Sequence, residues 1–263
     1  MSGTSAVRPG DITGIPKLVL RYPTDPAAIR RLLPPGLEPH GEPIAQINVY
    51  CVPVHGEPEY GVSTKIPARF DGIDGQYCLG IGIDQESAIF ISHETNGQPK
   101  FPCAVRYFRL GGEVHAEATH QGTTFLTYRG TPVQPAERIA EGEGVAFEDN
   151  EWWIKVSRAV GGRRGYDFPP HVVRVRTAGF RTGCEPLEGQ LVLRDSPWDP
   201  YTELLPPLGP ATGELVTNRI TDREITVAGP LDPDAYWPHA DTIGGSRWPG
   251  VRGAPRGRSG VES

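Results

Sequence analysis

The sequence predicts a mainly β protein of the α+β kind: one antiparallel domain, curled or closed on itself, with a few short helices outside. Three observations lead there. Gly 33 and Pro 28 are both high for 263 residues, which argues for many turns between short elements and against long helices. Apolar and alternating runs of strand length recur along the chain, bounded by Gly, Pro, Asn and Asp. Only two stretches carry helix signals. No repeat or composition shift marks a boundary, so residues 1–263 read as one domain, and so many strands need curling or closure to protect their edges.

The elements follow in order. Lys17 to Tyr22 reads as a strand. Thr24 and Asp25 then stand where a capping oxygen is wanted, Pro26 suits a first helical position, and a short helix runs from Pro26 to Leu33 until Pro34-Pro35-Gly36 stops it. Ile44 to Val54 is apolar with few breaks, as a buried strand is. Tyr60 to Arg69 alternates loosely. Tyr77 to Ile83 and Ser87 to Ser92 read as consecutive strands about a turn at Asp84-Gln85-Glu86, with a loop from His93 to Phe101. Ala104 to Leu110, Glu113 to Gln121 and Thr123 to Arg129 read as a meander with bends at Gly111-Gly112 and Gly122. Pro135 to Glu141 is the second helix candidate. Trp152 to Val160, His171 to Ala178, Glu188 to Arg194 and Ile220 to Val227 continue the strand pattern. Residues 1–14 and 249–263 are polar or rich in Gly, Arg, Ser and Pro, and are expected to be flexible.

A formal charge of −6 gives no general attraction to nucleic acid or anionic membrane. Cys51, Cys78, Cys103 and Cys184 are scattered, without a CxxC pair, as reduced thiols of a cytoplasmic protein would be. The first residues lack the apolar run of a signal peptide, and no stretch approaches the roughly 20 apolar residues of a membrane span. A cytoplasmic location is the expectation. No hydrolase elbow, zinc-protease or P-loop motif occurs, and Gly80-Ile81-Gly82 lacks the third glycine of a dinucleotide site. His115 and His120, five apart on a strand, would face opposite sides and are expected to be partly exposed, not ligands. Neither a metal nor another cofactor is called for.

Only four of the 26 basic residues are lysines, namely Lys17, Lys65, Lys100 and Lys155, so amine chemistry has few candidates. Lys100 follows Gly97-Gln98-Pro99, a segment able to turn a side chain back into the domain. Buried there, the amine would lose its proton more readily and could attack a ketone. The local sequence by itself favours a solvated loop lysine, since lysines are rarely buried.

A set of landmarks resembles the acetoacetate decarboxylase family over about residues 17 to 230. Ser92-His93-Glu94 stands where that family has Gly-Arg-Glu, and Pro99-Lys100-Phe101 where it has Pro-Lys-Lys. Tyr22-Pro23-Thr24-Asp25 with Leu32-Leu33-Pro34, Ile66-Pro67 through Phe70-Asp71-Gly72 to Tyr77, Asn150 to Lys155, and Asp195-Ser196-Pro197 to Leu205-Pro206 resemble further landmarks in the same order. The resemblance implies a closed, cone-like antiparallel β structure, a homo-oligomer, and Lys100 as a Schiff-base nucleophile in an apolar interior. Such an amine adds to a ketone, loses water to form an iminium, and uses the iminium as an electron sink.

The departures from the family pattern refine this expectation. Phe101 replaces the motif's second lysine and cannot carry its charge. The acid expected in the strand 45–50 is Asn48, and the acid expected just after Tyr60 falls at Val62 or Ser63. An Arg expected near Ile15 is absent, although Lys17 and Arg21 lie close. A pocket without acids would retain a substrate carboxylate, as superfamily members acting on 2-oxo acids do. The expected reaction is therefore aldol or dehydration chemistry on a 2-oxo acid such as pyruvate. Decarboxylation of a 3-oxo acid and a binding module without catalysis are the alternatives. Catalytic candidates are Lys100, Glu94 and Asn96. Substrate-binding candidates are Gln98, Phe101, Arg106 as a charged anchor, Glu113 (which shares a strand face with Glu117), Asn48, and Tyr236 as a residue closing the pocket.

Overall fold

The computed structural model describes residues 15–54, 56–133, 137–138, 143–196 and 198–240. Thirteen strands form one sheet: β1 (Lys17–Pro23), β2 (Glu38–Pro39), β3 (Ile44–Val54), β4 (Glu57–Phe70), β5 (Ile73–Ile83), β6 (Lys100–Pro102), β7 (Ala104–Leu110), β8 (Glu113–His120), β9 (Thr123–Pro132), β10 (Glu137–Arg138), β11 (Val145–Arg158), β12 (Tyr166–Leu193) and β13 (Thr212–Pro230). Four short helices accompany them: α1 (Pro26–Leu32), α2 (Glu86–Asn96), α3 (Tyr201–Leu204) and α4 (Pro233–Tyr236). The strand order β11-β5-β4-β3-β1-β13-β12 closes into a ring because β11 also pairs with β12. From β12 the sheet continues through β9, β8 and β7. Pairing is antiparallel except for β5 with β11 and with β6. Closure leaves these ring strands with partners on both sides, the protection expected for so strand-rich a chain.

Local chemistry accounts for many of these elements. The β4–β5, β7–β8 and β8–β9 hairpins have two-residue turns at Asp71-Gly72, Gly111-Gly112 and Gln121-Gly122, all with positive φ. Two positive φ angles match the twist of paired strands, and glycine adopts them without strain. Asp25 caps α1 by accepting a hydrogen bond from the Ala27 amide at 2.9 Å, and Pro26 opens the helix. Strand alternation then divides the core in two. Leu18, Ile47, Val62, Leu79 and Trp152 belong to a large apolar cluster; Tyr50, Val52, Ile81, Trp153 and Val173 belong to a smaller one. Neighbours Trp152 and Trp153 thus point to opposite sides of the same wall.

Several sequence expectations need correction. Ser87 to Ser92 is not a strand, and His93 to Asn96 is not loop: both lie in α2. A short run rich in Ile and Phe looks the same in either state. The helix is stopped by Gly97, whose φ of 66° and amide bonds to the His93 and Ser92 carbonyls make a left-handed C-cap. Within the other helix candidate, Glu137 and Arg138 are a strand paired with Cys184 and Gly183; residues 135, 136 and 139–141 lie outside those described. His171 to Ala178 and Glu188 to Arg194 are not separate strands. All but Arg194 belong to the 28-residue β12, whose pairing with β13 shifts register at three places. The two ends expected to be flexible, 1–14 and 249–263, also fall outside the described residues. Among the described residues no helix is long and apolar enough to cross a membrane.

Candidate active site

Lys100 opens β6, three residues after the Gly97 cap. The Ile81 amide bonds to the Pro99 carbonyl and the Lys100 amide to the Gln98 carbonyl, which fixes the lysine beside β5. Register then sets its neighbours. Lys100 pairs with Ile81, Ile81 with Ser63, and Ser63 with Asn48, so the four side chains share one face of the wall. On this face the Lys100 ammonium meets the Glu59 carboxylate at 3.3 Å, with only 9% and 4% of the two side chains exposed. Asn48 is buried, donating to Ser63 Oγ at 3.2 Å and accepting from Gln46 at 3.0 Å.

The Lys100 pKa is lowered. Burial is the largest cause, Glu59 works against it, and the charge of Arg223 on β13 adds to it. Beyond this pair lies a second one, Lys65 with Glu151, whose carboxylate also accepts from the Trp153 indole. Burial pushes the Glu151 carboxyl up, but Lys65 and these hydrogen bonds outweigh it and hold the group low. Lys17 is lowered to about 8, by burial first and by the charge of Lys65 second. Tyr50 is raised well above its ordinary value by burial and by the negative charge of Glu59. These groups make a polar stretch inside an otherwise apolar cluster. A cavity of about 1040 Å³ reaches Lys100 and is walled by Cys78, Ile83, Ile89 and Tyr236 among others.

The predicted residues fare differently. Lys100 and Asn48 lie in one row of the sheet, with Ile81 and Ser63 between them. Glu94 is exposed on α2, where it lines the cavity; Asn96 ends that helix half-buried, and Gln98 is half-buried in the connection to β6. Tyr236 is buried and lines the cavity. Phe101 lines the cavity too, although its ring turns to the opposite face from Lys100: it packs in the large apolar cluster, beneath Gly82 and edge-on to His120 with 4.9 Å between ring centroids. Arg106 is not a charged anchor, being 78% exposed and paired with Glu117 at 3.6 Å. Glu113 likewise faces away and pairs with His115 at 3.1 Å. His115 and His120 do face opposite sides, but His120 is buried, bonded to Asp199 at 2.8 Å.

Sequence reasoning missed Glu59, Tyr50, Lys65, Glu151 and Arg223. It also misread the acid: a carboxylate does stand beside Lys100, supplied by Glu59, which precedes Tyr60 instead of following it. The available signal was period two, since Glu59, Gly61 and Ser63 lie on one strand face.

The profile of the family described as acetoacetate decarboxylase matches residues 3–229. No curated protein sequence matches the chain significantly. Solved structures do share its fold. An acetoacetate decarboxylase superposes with a TM-score of 0.65 at 15% identity, covering 86% of this chain and 92% of that one. An acetoacetate decarboxylase-like enzyme from Sphingomonas wittichii RW1 gives 0.62 at 17% identity, covering 88% and 100%. The enduracididine biosynthesis enzyme MppR complexed with pyruvate gives 0.61 at 16% identity, covering 84% and 92%.

Proposed function

The chain belongs to the acetoacetate decarboxylase family, and from that membership we propose that it is a Schiff-base lyase whose Lys100 attacks the ketone carbon of a 2-oxo acid such as pyruvate. The observation that carries the Schiff-base part of this reading is the buried Lys100–Glu59 pair at 3.3 Å. Desolvation favours the neutral amine, and Glu59 is in reach to take the ammonium proton. The amine then adds to the ketone carbon to give a carbinolamine. Glu59 returns the proton to the carbinolamine hydroxyl, which leaves as water, and an iminium remains on Lys100. The iminium withdraws electrons from the neighbouring carbon, which loses a proton and can condense with an aldehyde or expel a leaving group. Arg223, whose positive charge acts on Lys100, favours retention of the substrate carboxylate. MppR, a structural neighbour, binds pyruvate, which supports this class of substrate.

Decarboxylation of a 3-oxo acid is the second reading, and Glu59 favours it. A fixed carboxylate beside a substrate carboxylate raises the energy of the charged group and promotes its loss as carbon dioxide. A homo-oligomeric assembly is also proposed, to be checked by light scattering.

The two chemistries separate under borohydride reduction. The intact protein is reduced with pyruvate and, in parallel, with acetoacetate, and its mass is measured. A pyruvate adduct supports the 2-oxo acid reading. An acetone-derived adduct from acetoacetate, with none from pyruvate, replaces it with decarboxylation. No adduct with either substrate contradicts both and leaves a binding module.

A further inference from the structure

We propose that Tyr50 is the neutral hydrogen-bond donor to the substrate oxygen at Lys100, seated over Gly61, which leaves its side-chain space empty for the phenol. The inference rests on the imine chemistry proposed above. Tyr50 lies two residues beyond Asn48 on β3 and therefore faces the same side of the wall. It pairs directly with Gly61 on β4. A Cβ built on Gly61 would lie 2.3 Å from the Tyr50 Cζ and 2.5 Å from its hydroxyl oxygen, so the tip of the phenol fills the place of the missing side chain. Gly61 has no positive φ; the reason for glycine here is room, not backbone conformation.

The register puts this phenol beside Glu59, the acid paired with Lys100. Ser63 shares a row with Lys100, Gly61 occupies the next same-face position of β4, and Glu59 the one after. Lys100, on β6, reaches Glu59 on β4 across β5, and the phenol approaches from β3 on the other side of β4, close enough for the charge of Glu59 to act on it. Tyr50 is 8% exposed, with its phenol over Gly61. Buried phenols ordinarily find a partner. An oxygen on the carbon attacked by Lys100, first the ketone and then the carbinolamine hydroxyl, supplies one. No proton leaves the phenol: Glu59 carries the proton and Tyr50 only donates a hydrogen bond. Its raised pKa keeps it in the donating form throughout the neutral range.

The test is the rate of borohydride-trapped adduct formation with pyruvate in the wild-type protein and in Tyr50→Phe, which keeps the ring over Gly61. A second readout is labelling of Lys100 by trinitrobenzenesulfonate, which reports amine state and access without needing the donor. The expected result is a rate roughly 10²-fold lower, the usual cost of losing one such donor, with labelling and melting temperature unchanged. Trapping at the wild-type rate overturns the proposal. So does a matching fall in labelling, which would place the effect on the lysine and not on the substrate oxygen. Absence of any adduct in the wild type is a different failure, that of the imine chemistry, and removes this inference with it. Gly61→Ala, which displaces the phenol, is expected to slow trapping in the wild type and to add nothing further in Tyr50→Phe.

Discussion

Trp152 and Trp153 are adjacent, both buried, and lead into two different worlds. Trp152 packs edge-on against Phe70 within an apolar cluster. Trp153 donates its indole N–H to Glu151, inside a cluster threaded with lysines and carboxylates. The same alternation that makes one face of the wall a core makes the other a place where charges are kept dry. Removing such charges from water is costly unless they are paired, and here Glu59, Lys65, Glu151 and Lys100 are. The difference teaches where reactivity comes from in this fold: the apolar face supplies stability, while the charged face holds a lysine in surroundings that favour its neutral form.

Three substitutions sharpen the contrast, in falling order of effect. Glu59→Gln removes the proton acceptor on the charged face, and turnover is expected to drop roughly 10²- to 10⁴-fold. The same change takes away the charge that raises the Lys100 pKa, so the midpoint of adduct formation should move to lower pH. A midpoint that moves to higher pH would count against the assigned role of Glu59.

Phe101→Lys addresses the other face. The family motif has a second lysine there, and the sequence suggests that restoring it would lower the Lys100 pKa. The structure places Phe101 among apolar side chains and against the buried His120–Asp199 pair, so the new ammonium would have to be desolvated in that packing. A loss of about 3–5 kcal/mol in urea unfolding is expected, and a stable variant with altered Lys100 titration would contradict this placement.

Lys17→Met has the smallest effect. With its pKa lowered to about 8 in the folded chain against an ordinary 10.5, Lys17 costs stability wherever both states are protonated, below about pH 8. That penalty fades as pH rises from about 8 toward 10.5. Its replacement should therefore stabilise the protein at neutral pH, by on the order of 1 kcal/mol given that the side chain is only half-buried, and the gain should shrink above pH 8. Thermal unfolding across that range checks both sign and window.

What could be read in advance follows the same division. The strand Ile44–Val54 was legible to its ends, because an apolar run with few breaks between Pro43 and the following turn has few other uses. Lys100 was legible through the resemblance of Pro99-Lys100-Phe101 and its accompanying landmarks. Glu59 was not, because whether it faces inward depends on strand parity, and that is set only once Gly61 pairs with Tyr50. The partners Lys65 and Glu151 stand 86 residues apart, and nothing local to either announces the other. Helix α2 was hidden by its own Ile and Phe residues, two of which, Phe90 and Ile91, are exposed and give no helical stripe.

The central claim is that one lysine of four is the nucleophile, and peptide mapping of the borohydride-reduced adduct tests it most directly. The account predicts label on Lys100 alone, with none on Lys155, Lys65 or the likewise depressed Lys17, and no label at all in a folded Lys100→Ala variant. Label on Lys17, or undiminished label in Lys100→Ala, would contradict it.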